Sequence, residues 1–173
     1  MDELVDHVDA QDRVLGAVSR REAVREGWLH RVASVVCRDG RDRFLVHRRA
    51  EQLSRFPGHC ELGVGGAAGV GESYEQAAAR ELGEELGVRA SVRLRFTFLN
   101  RVGLSPHWLG VCDAVVPEIV APDPGEVAWH GWLTESELRR ALRQWTFTPD
   151  SQEIFDRYLA GRTDPARAHE GRP

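Results

Sequence analysis

The sequence predicts a domain of the α/β or α+β class, and three observations support this prediction. Short β-branched and apolar runs recur along the chain, as expected for buried strands. Two segments begin with capping boxes, in which Ser or Thr is followed three residues later by Gln or Glu, and such boxes mark helix starts. With 173 residues, 42% of them apolar and 29% charged, the chain has the size and composition of one ordinary globular domain.

The strand candidates extend over most of the chain. Residues 1–27 are charged and broken, with short strands expected at 4–5 and 14–16 around a turn. Residues 28–37 read as a well-buried strand, and an Asp-Gly turn signal predicts that residues 43–49 return beside it as a hairpin. The later strand candidates are residues 60–64, 91–100, 108–116 and 125–133. The tryptophans expected in the core, because they lie in apolar element patterns, are Trp108, Trp129, Trp132 and Trp145.

Three helices are predicted between and after these strands. The capping box at residues 73–76 begins the first helix, and Gly87 ends it. The second box, at residues 134–137, begins another helix, and residues 149–159 form a terminal one. From residue 161 the chain is rich in Gly, Pro, Arg and Asp, and we expect it to fray.

Charge and cysteine content exclude several classes of protein. A net charge of -4 gives no general attraction to nucleic-acid polymers or anionic membranes. Cys37, Cys60 and Cys112 fit neither a disulfide framework nor a C-x-x-C metal site, and Cys37 and Cys112 are expected to be buried thiols. The acidic start MDELVDHVDAQD lacks the apolar stretch of a signal peptide, and no run approaches the roughly 18 apolar residues of a membrane span. We therefore expect a cytoplasmic protein with no membrane partner.

The first predicted helix concentrates acidic residues on one side. Glu81, Glu84 and Glu85 fall within an arc of about 100°, where like charges repel by roughly 0.2–0.5 kcal/mol per pair. The adjoining apolar face, available for packing on a sheet, contains Ala78, Ala79, Leu82 and Leu86. Such a cluster is either a solvated surface or a site for a hard divalent cation, which prefers carboxylate oxygens.

A glycine-rich loop precedes this helix. Its glycines are Gly63, Gly65, Gly66, Gly69 and Gly71. Such a loop lets backbone groups approach a ligand closely, and the following helix N-terminus favours anions. Arg80, next to Glu81, either orients an acid or forms a surface ion pair. Each feature alone is weak evidence for a ligand site, so the combined pattern has to be considered.

Together these residues resemble the Nudix box, G-x5-E-x7-R-E-U-x-E-E-x-G-U, in which U is a bulky aliphatic residue. Its nine defined positions over 23 residues are filled by Gly66, Glu72, Arg80, Glu81, Leu82, Glu84, Glu85, Gly87 and Val88. The chain is identified on this basis as a member of the Nudix family. The resemblance implies an α/β fold, a Nudix-type α/β/α sandwich with a mixed β-sheet. We expect the domain at residues 28–160, an N-terminal extension at 1–27 that packs on it, and a flexible tail at 161–173.

The resemblance also implies a metal site and its ligands. Glu84 and Glu85 would bind Mg²⁺ directly, with Mn²⁺ as a substitute, and the Gly65 carbonyl would be a backbone ligand. Glu81 would be a third ligand or the base that activates water. Family members cleave a diphosphate linked to another group, usually in a nucleoside diphosphate derivative, by water attack on phosphorus.

Residues around these ligands have implied roles as well. Glu72 would lie in the outer part of the metal site, and Arg80 would orient the acids by ion pairing. Arg48 and Arg49 should project to opposite faces of a strand, and arginine suits bidentate phosphate contacts, so both are candidates for substrate binding. Surface salt bridges are the alternative for them. Glu126 lies where Nudix proteins often place an additional acid, an extra ligand or base.

The segment before the box resembles the branch of the family related to type I isopentenyl-diphosphate isomerase. The similar stretches are LHR at 29–31, LVHRR at 45–49, FPG at 56–58 and GG at 65–66. Those isomerases need a cysteine acid/base where this chain has Gly65, and place a metal-binding histidine where it has Ala67. Their Glu-x-Glu pair falls near Ser105 and His107. Only His30 matches an amino-terminal metal histidine, and we favour a hydrogen-bonded strand histidine there.

Hydrolysis is therefore the predicted reaction, on a nucleoside diphosphate derivative or a related organic diphosphate. The alternatives are an isomerase of a prenyl diphosphate and a non-catalytic nucleotide-binding module. Specificity in this fold comes from loops outside the box, here residues 103–106, 121–125 and the N-terminal extension. The sequence leaves the substrate open, and also a homodimer, since many relatives are dimers.

Overall fold

The computed structural model describes residues 2–163, which form nine strands and four helices. The strands are β1 (Leu4–Val8), β2 (Val14–Ser19), β3 (Arg31–Arg38), β4 (Phe44–Arg49), β5 (Cys60–Leu62), β6 (Val64–Ala67), β7 (Arg93–Asn100), β8 (His107–Val115) and β9 (Val127–Leu133). The helices are α1 (Arg20–Glu26), α2 (Tyr74–Leu86), α3 (Glu135–Gln144) and α4 (Ser151–Thr163). In this part of the chain, no helix is long and apolar enough to cross a membrane.

Seven of these strands form one mixed sheet. Strand β3 runs parallel to β8 and antiparallel to β6, while β4 pairs antiparallel with β5 and β9, and β7 pairs antiparallel with β8. Strands β3 and β4 pair at Arg38 and Phe44 and then diverge to these different partners. The predicted hairpin is therefore joined at its turn only, because other strands take the remaining edges.

The strand expected at residues 60–64 is two strands. Gly63 lies between β5 and β6 with a φ of +82°, and a Cβ there would lie 1.9 Å from the Val35 carbonyl oxygen. Glycine adopts this backbone conformation without strain and leaves room for the neighbouring chain. The chain thus leaves β4 and joins β3 within one residue, which brings the glycine-rich loop to the middle of the sheet.

Helices cover both faces of the sheet, so the fold is the expected α/β/α sandwich. On one face the buried core contains Ala77, Ala78, Leu82 and Leu86 of α2 against Val35, Leu45 and Cys112. On the other face it contains Leu138 of α3 and Ile154, Phe155 and Tyr158 of α4 against Val36, Phe44 and Val111. Consecutive residues of β4 enter opposite cores, as the alternation of side chains along a strand requires.

The N-terminal extension forms the hairpin β1–β2 and helix α1, and it contacts the glycine-rich loop. The Gly71 N–H donates to Oδ2 of Asp6 at 3.0 Å, and Nε of Arg31 donates to Oδ1 of Asp12 at 2.7 Å. Helix α1 was not predicted from the sequence, because its seven residues are mostly charged and carry little apolar periodicity. Its start is nevertheless capped, since the Ser19 side chain accepts the Glu22 N–H.

Two expectations about side chains and the terminus need correction. Trp108 and Trp132 pack on the α2-side core, but Trp129 and Trp145 are 41% and 40% exposed, so the prediction of core aromatics was wrong for these two. Helix α4 continues through residues 161–163, where fraying was expected, and residues 164–173 lie outside the described part. The three cysteines are buried and unpaired, and burial raises the pKa of the Cys37 and Cys112 thiols to about 12.

Candidate active site

Helix α2 is fixed at both ends by its own sequence. The Ser73 hydroxyl accepts the Gln76 N–H at 3.1 Å, and the Gln76 side chain accepts the Ser73 N–H at 2.8 Å, which completes the predicted capping box. At the other end Gly87 adopts a φ of +65° and closes the helix. Because both ends are fixed and the apolar face packs on the sheet, the acidic side chains keep a defined direction.

Glu81, Glu84 and Glu85 of α2 lie at different depths. Glu85 is only 8% exposed, the Glu81 side chain is 12% exposed, and the Glu84 side chain is 61% exposed. An ionised carboxylate is costly to bury unless a partner compensates its charge. The cluster therefore reaches from the sheet to solvent and is not a solvated helix face.

Arg80 holds the acids of the box together. Its Nη1 donates to Oε1 of Glu81 at 2.6 Å and lies 3.4 Å from Oε2 of Glu84, while its Nε donates to Oε1 of Glu72 at 3.0 Å. Its Nη2 also donates to the Ala67 carbonyl at 2.9 Å, which ties the helix to β6. The Arg80 guanidinium holds the pKa of Glu72 below its ordinary value. This arrangement supports the orienting role that the resemblance implies for Arg80.

Glu85 has the most perturbed carboxyl group of the cleft. Its pKa is raised to about 9, mainly by burial and also by the nearby carboxylates of Glu61, Glu81 and Glu126. The Gly65 N–H donates to Oε1 of Glu85 at 3.3 Å and opposes this shift. Burial also raises the pKa of Glu81. Negative charge here is thus unfavourable until a cation compensates it.

At two positions of the preceding loop, close contacts leave room for glycine only. A Cβ on Gly66 would lie 2.2 Å from Oε1 of Glu81, and a Cβ on Gly65 would lie 2.3 Å from the Ala33 carbonyl oxygen. Any larger residue at these positions would therefore displace the Glu81 carboxylate or strand β3. The loop thus brings its backbone against the acidic cluster.

An open cleft of about 680 Å³ adjoins the acids. Its acidic lining consists of Glu81, Glu84, Glu85, Asp123 and Glu126, and its basic lining of Arg20, Arg49 and Arg55. Within residues 2–163, no three His, Cys, Asp or Glu side chains already converge as they would around a metal ion. The possible ligands nevertheless fit a hard divalent cation, because they are carboxylates and the backbone of the glycine-rich loop can approach the same ion. A cation would also relieve the repulsion that raises the pKa of Glu85.

A smaller pocket of about 180 Å³ joins this cleft at Gly65 and Gly66. Its walls combine the apolar Val32, Leu62, Leu109 and Ile154 with the polar His30, Asn100 and His107. The His30 and His107 rings are 6.0 Å apart, and Nδ1 of His30 lies 3.3 Å from the Trp28 carbonyl oxygen. Burial lowers the pKa of His30 to about 4, so its ring is neutral at pH 7.

The two candidate phosphate-binding arginines are separated by the sheet. Arg49 lines both the cleft and the pocket, and its Nη1 donates to Oε2 of Glu61 at 3.0 Å. Arg48 is exposed and lines a different cleft with Trp129 and Trp145. The structure thus brings Arg49 to the acids and does not bring Arg48 there. The alternation of side chains along a strand predicted that Arg48 and Arg49 lie on opposite faces of the sheet, but it did not predict which of them reaches the acids.

Sequence reasoning did not single out four residues of the site, although Asp123 and Arg20 lie in segments that were expected to determine specificity. Arg20 and Arg55 lie at the junction of the cleft and the pocket, Asp123 lies in the cleft, and Glu61 contacts Arg49. None belongs to a spaced motif, and Arg20 is 46 positions before the box at Gly66. Only the tertiary fold brings these side chains together. Glu126, suggested by its position relative to the box, does line the cleft.

Comparison with known proteins identifies relatives across most of the chain. The NUDIX domain family model matches residues 28–158. A protein of Streptomyces coelicolor, named as an uncharacterized Nudix hydrolase, is 42% identical over 164 residues, which cover 93% of this chain and 91% of that protein. An isopentenyl-diphosphate Delta-isomerase of Nocardia farcinica is 34% identical over 161 residues, which cover 88% and 92% of the two chains.

A solved structure shares the same fold. The crystal structure of DR0079 from Deinococcus radiodurans superposes with a TM-score of 0.78 at 28% identity and covers 90% of this chain and 98% of that one. The α/β/α sandwich with a complete box beside its cleft defines the class of Nudix proteins, and the chain belongs to the Nudix family. It is a Nudix hydrolase, an enzyme that cleaves diphosphate linkages.

Proposed function

We propose that this Nudix hydrolase depends on Mg²⁺, with Mn²⁺ as a substitute, and cleaves a nucleoside diphosphate derivative or a related organic diphosphate. The observation that carries the proposal is the buried Glu85, whose pKa is raised by burial and by three neighbouring carboxylates. A hard divalent cation would turn these unfavourable charges into ligands.

The residues of the box would share the work as follows. Glu81, Glu84, Glu85 and the Gly65 carbonyl would hold the ion. Bound Mg²⁺ would supply charge neutralisation at the phosphate oxygens and a more acidic water. Arg80 would keep Glu81 in place through the 2.6 Å ion pair, so that the carboxylate meets the ion without rearranging.

Two carboxylates are candidates for the base that takes the proton of the attacking water. Glu81 lies beside the other acids of α2, whereas Glu126 is exposed and lines the cleft just before β9. Removing a base should lower kcat and leave Mn²⁺ affinity unchanged, whereas removing a ligand should weaken Mn²⁺ binding. Glu81→Gln and Glu126→Gln, each assayed for kcat and for Mn²⁺ affinity, therefore assign the role.

The neighbouring pocket would hold the group attached to the diphosphate. Its volume of about 180 Å³ is smaller than the ~300–1,000 Å³ of typical sites for drug-sized ligands. Apolar walls with His30, Asn100 and His107 suit a compact group that has few polar atoms. A nucleoside would fit only by extending into the open cleft.

A substrate panel with Mg²⁺ tests the proposal. Purified protein should release phosphate or a monophosphate from at least one nucleoside diphosphate derivative, nucleotide sugar, dinucleotide or prenyl diphosphate. Glu85→Gln should abolish this release. Inactivity of the wild-type protein across the panel, or equal activity of the variant, would contradict the proposal.

The 34% identity to an isopentenyl-diphosphate isomerase favours one second candidate, isomerisation of a prenyl diphosphate. Gly65, at the position of the isomerase cysteine, has no side chain that could move a proton. We therefore expect no solvent deuterium in isopentenyl diphosphate after incubation with Mg²⁺. Incorporation at a rate that Glu85→Gln abolishes would favour the isomerase.

The proposal also includes a small-molecule substrate in the cytoplasm rather than a nucleic-acid polymer. The net charge of -4 supports this choice, because a polymer of phosphates is bound through a positive surface. A homodimer is compatible with the proposal, and light scattering of the purified protein tests it.

A further inference from the structure

Three arginines meet where the acidic cleft joins the smaller pocket. Arg20, Arg49 and Arg55 line both cavities, together with Gly65 and Gly66. They come from α1, from β4 and from the segment after β4. Guanidinium groups stay charged at neutral pH, so their proximity is unfavourable unless an anion lies among them.

Arg20 has a donor without a partner. Its Nη1 donates to Oε2 of Glu3 at 2.8 Å, while its Nε is buried and has no hydrogen-bond partner among the described residues. Buried polar groups are normally satisfied, and an orphaned one calls for an explanation. Because this Nε has almost no accessible surface, a ligand in the cavities would meet the terminal groups of Arg20, whose side chain is 26% exposed.

Arg55 also lacks a compensating carboxylate. It is partly buried, and within residues 2–163 no carboxylate forms a salt bridge with it. Burial lowers its pKa, and the nearby Arg20 and Arg49 lower it further. Arg49 is paired with Glu61 at 3.0 Å, and Arg20 with Glu3. Arg20 and Arg49 thus each have a salt-bridge partner, whereas Arg55 has none within residues 2–163 and only the nearby Glu3 acts to raise its pKa.

The field of these arginines reaches the pocket. Burial lowers the pKa of both His30 and His107, and Arg20 and Arg55 contribute to lowering each of them. The histidines are therefore kept neutral, and the positive charge at the junction belongs to the arginines. An anion at the junction would meet donors from the arginines and, on the pocket side, the neutral rings together with the carboxyl groups of Glu61 and Asp150.

We propose that Arg20 and Arg55, together with Arg49, form an anion subsite that binds the substrate phosphate nearest to the organic group. The inference rests on the proposed function, because it extends one diphosphate across the junction, from the acidic cleft to the pocket. Arginine is suited to this contact because its planar donors match phosphate oxygens in pairs. The N-terminal extension thereby takes part in substrate recognition through Arg20.

The test uses methylenediphosphonate, a diphosphate analogue that water does not cleave, titrated calorimetrically in the presence of Mg²⁺. Arg20→Gln and Arg55→Gln should each raise the Kd about tenfold or more. The control is Arg21→Gln, which removes the same charge from the next residue, whose side chain is 83% exposed and lies 3.6 Å from Asp2. Its Kd should stay within about twofold of the wild-type value.

Kinetics separate recognition from a merely structural role. With an accepted substrate, both Gln variants should raise KM by a similar factor and keep kcat within a few fold, with an unchanged Mn²⁺ affinity. Wild-type values of Kd and KM in both variants would overturn the subsite, and so would losses confined to kcat or to Mn²⁺ binding. If Arg20→Gln loosens α1, which a thermal melt would show, Arg55→Gln decides the matter because it lies outside the extension.

The outcomes also distinguish this inference from the proposed function. A wild-type protein that hydrolyses no organic diphosphate, yet binds methylenediphosphonate through Arg20 and Arg55, would refute the hydrolase proposal and support the subsite. Mg²⁺-dependent hydrolysis with unchanged KM in both variants would refute the subsite alone.

Discussion

Arg48 and Arg49 are adjacent in the chain, but the two faces of β4 give them different surroundings. Arg49 is half-buried, contacts Glu61 and lines the acidic cleft. Arg48 is exposed and stands in register between Cys60 of β5 and Trp129 of β9. The residue type and the strand are the same, so the difference comes from what covers each face.

One face of the sheet carries α2 and the other carries α3 and α4. Because α2 brings the acids of the box, the face of Arg49 carries the acidic cleft, while the face of Arg48 ends in exposed aromatic side chains. Trp129 and Trp145 meet there edge to face at 5.8 Å. The role of a β4 side chain thus depends on which face of the sheet it points to. Four predictions test this account, and three of them compare the two faces directly.

The largest effect is expected from Glu85→Gln on the α2 face. If Glu85 is the metal ligand that we propose, losing its charge should lower kcat by about 100-fold or more, the range found when one electrostatic stabiliser of a transition state is removed. Steady-state kinetics with Mg²⁺ measure this loss. Glu75→Gln, the same change in the first turn of the same helix and outside the cleft, should keep kcat within about twofold. Equal losses in both variants would point to the helix as a whole rather than to the cleft.

The second comparison exchanges the adjacent arginines for glutamine one at a time. Arg49→Gln should raise KM about 10-fold to 100-fold, because a charge-assisted hydrogen bond contributes about 1.5–3 kcal/mol. Arg48→Gln should leave KM and kcat within about twofold of wild type, since its side chain lines the other cleft. Parallel kinetics on the two variants provide the measurement. A larger effect from Arg48 would mean that substrate binds on the Trp129 face.

The parts of the fold and of the candidate site that could be predicted are those encoded by residues close together in the sequence. The ends of α2 and α3 follow from side chains within three residues, so the boxes at Ser73 and Thr134 were correctly predicted. The Nudix box fixed the acids for the same reason, since one helix carries them.

Features that depend on contacts between residues far apart in the sequence could not be predicted. The hairpin of β3 and β4 was expected along its length, but β6 and β9 compete for the strand edges. Alternation placed Arg48 and Arg49 on opposite faces without saying which face α2 covers. Arg20 lies at the start of a charged helix with no apolar pattern, so the sequence indicated the N-terminal extension as a whole but not this residue.

The third comparison concerns one buried carboxylate on each face, Glu85 and Asp113. The folded-state pKa of Glu85 is raised from 4.5 to about 9, so its contribution to stability is full below pH 4.5 and is lost as the pH rises toward 9. In EDTA at pH 8, Glu85→Gln should therefore be more stable than wild type by about 1 kcal/mol, or about 2–4 °C in Tm. The gain should vanish near pH 4 and shrink when Mg²⁺ is added.

Asp113→Asn should have the opposite sign. Asp113 accepts the Tyr158 hydroxyl at 3.0 Å and has Arg38 at 3.7 Å and Arg95 at 3.8 Å, so its charge is compensated within the fold. Removing it should cost about 1–3 kcal/mol at pH 8. Thermal melts of both variants across pH 4–9 check the pair, and destabilisation by Glu85→Gln in EDTA would contradict the account of the α2 face.

The smallest effects are expected from the two helix caps, which lie on opposite faces of the sheet. Ser73→Ala and Thr134→Ala should each cost about 0.5–2 kcal/mol of stability, because each leaves N–H groups of a first turn unpaired. Only Ser73→Ala should also weaken Mn²⁺ binding, by about twofold to fivefold, since Glu72 next to it accepts from Arg80, which in turn holds Glu81. Thr134 caps α3, which carries none of the box acids. Chemical denaturation and Mn²⁺ titration of both variants, compared at matched folded fractions, separate the two effects. Equal weakening of metal binding by both caps would mean that the acids respond to global stability and that the two faces are not independent.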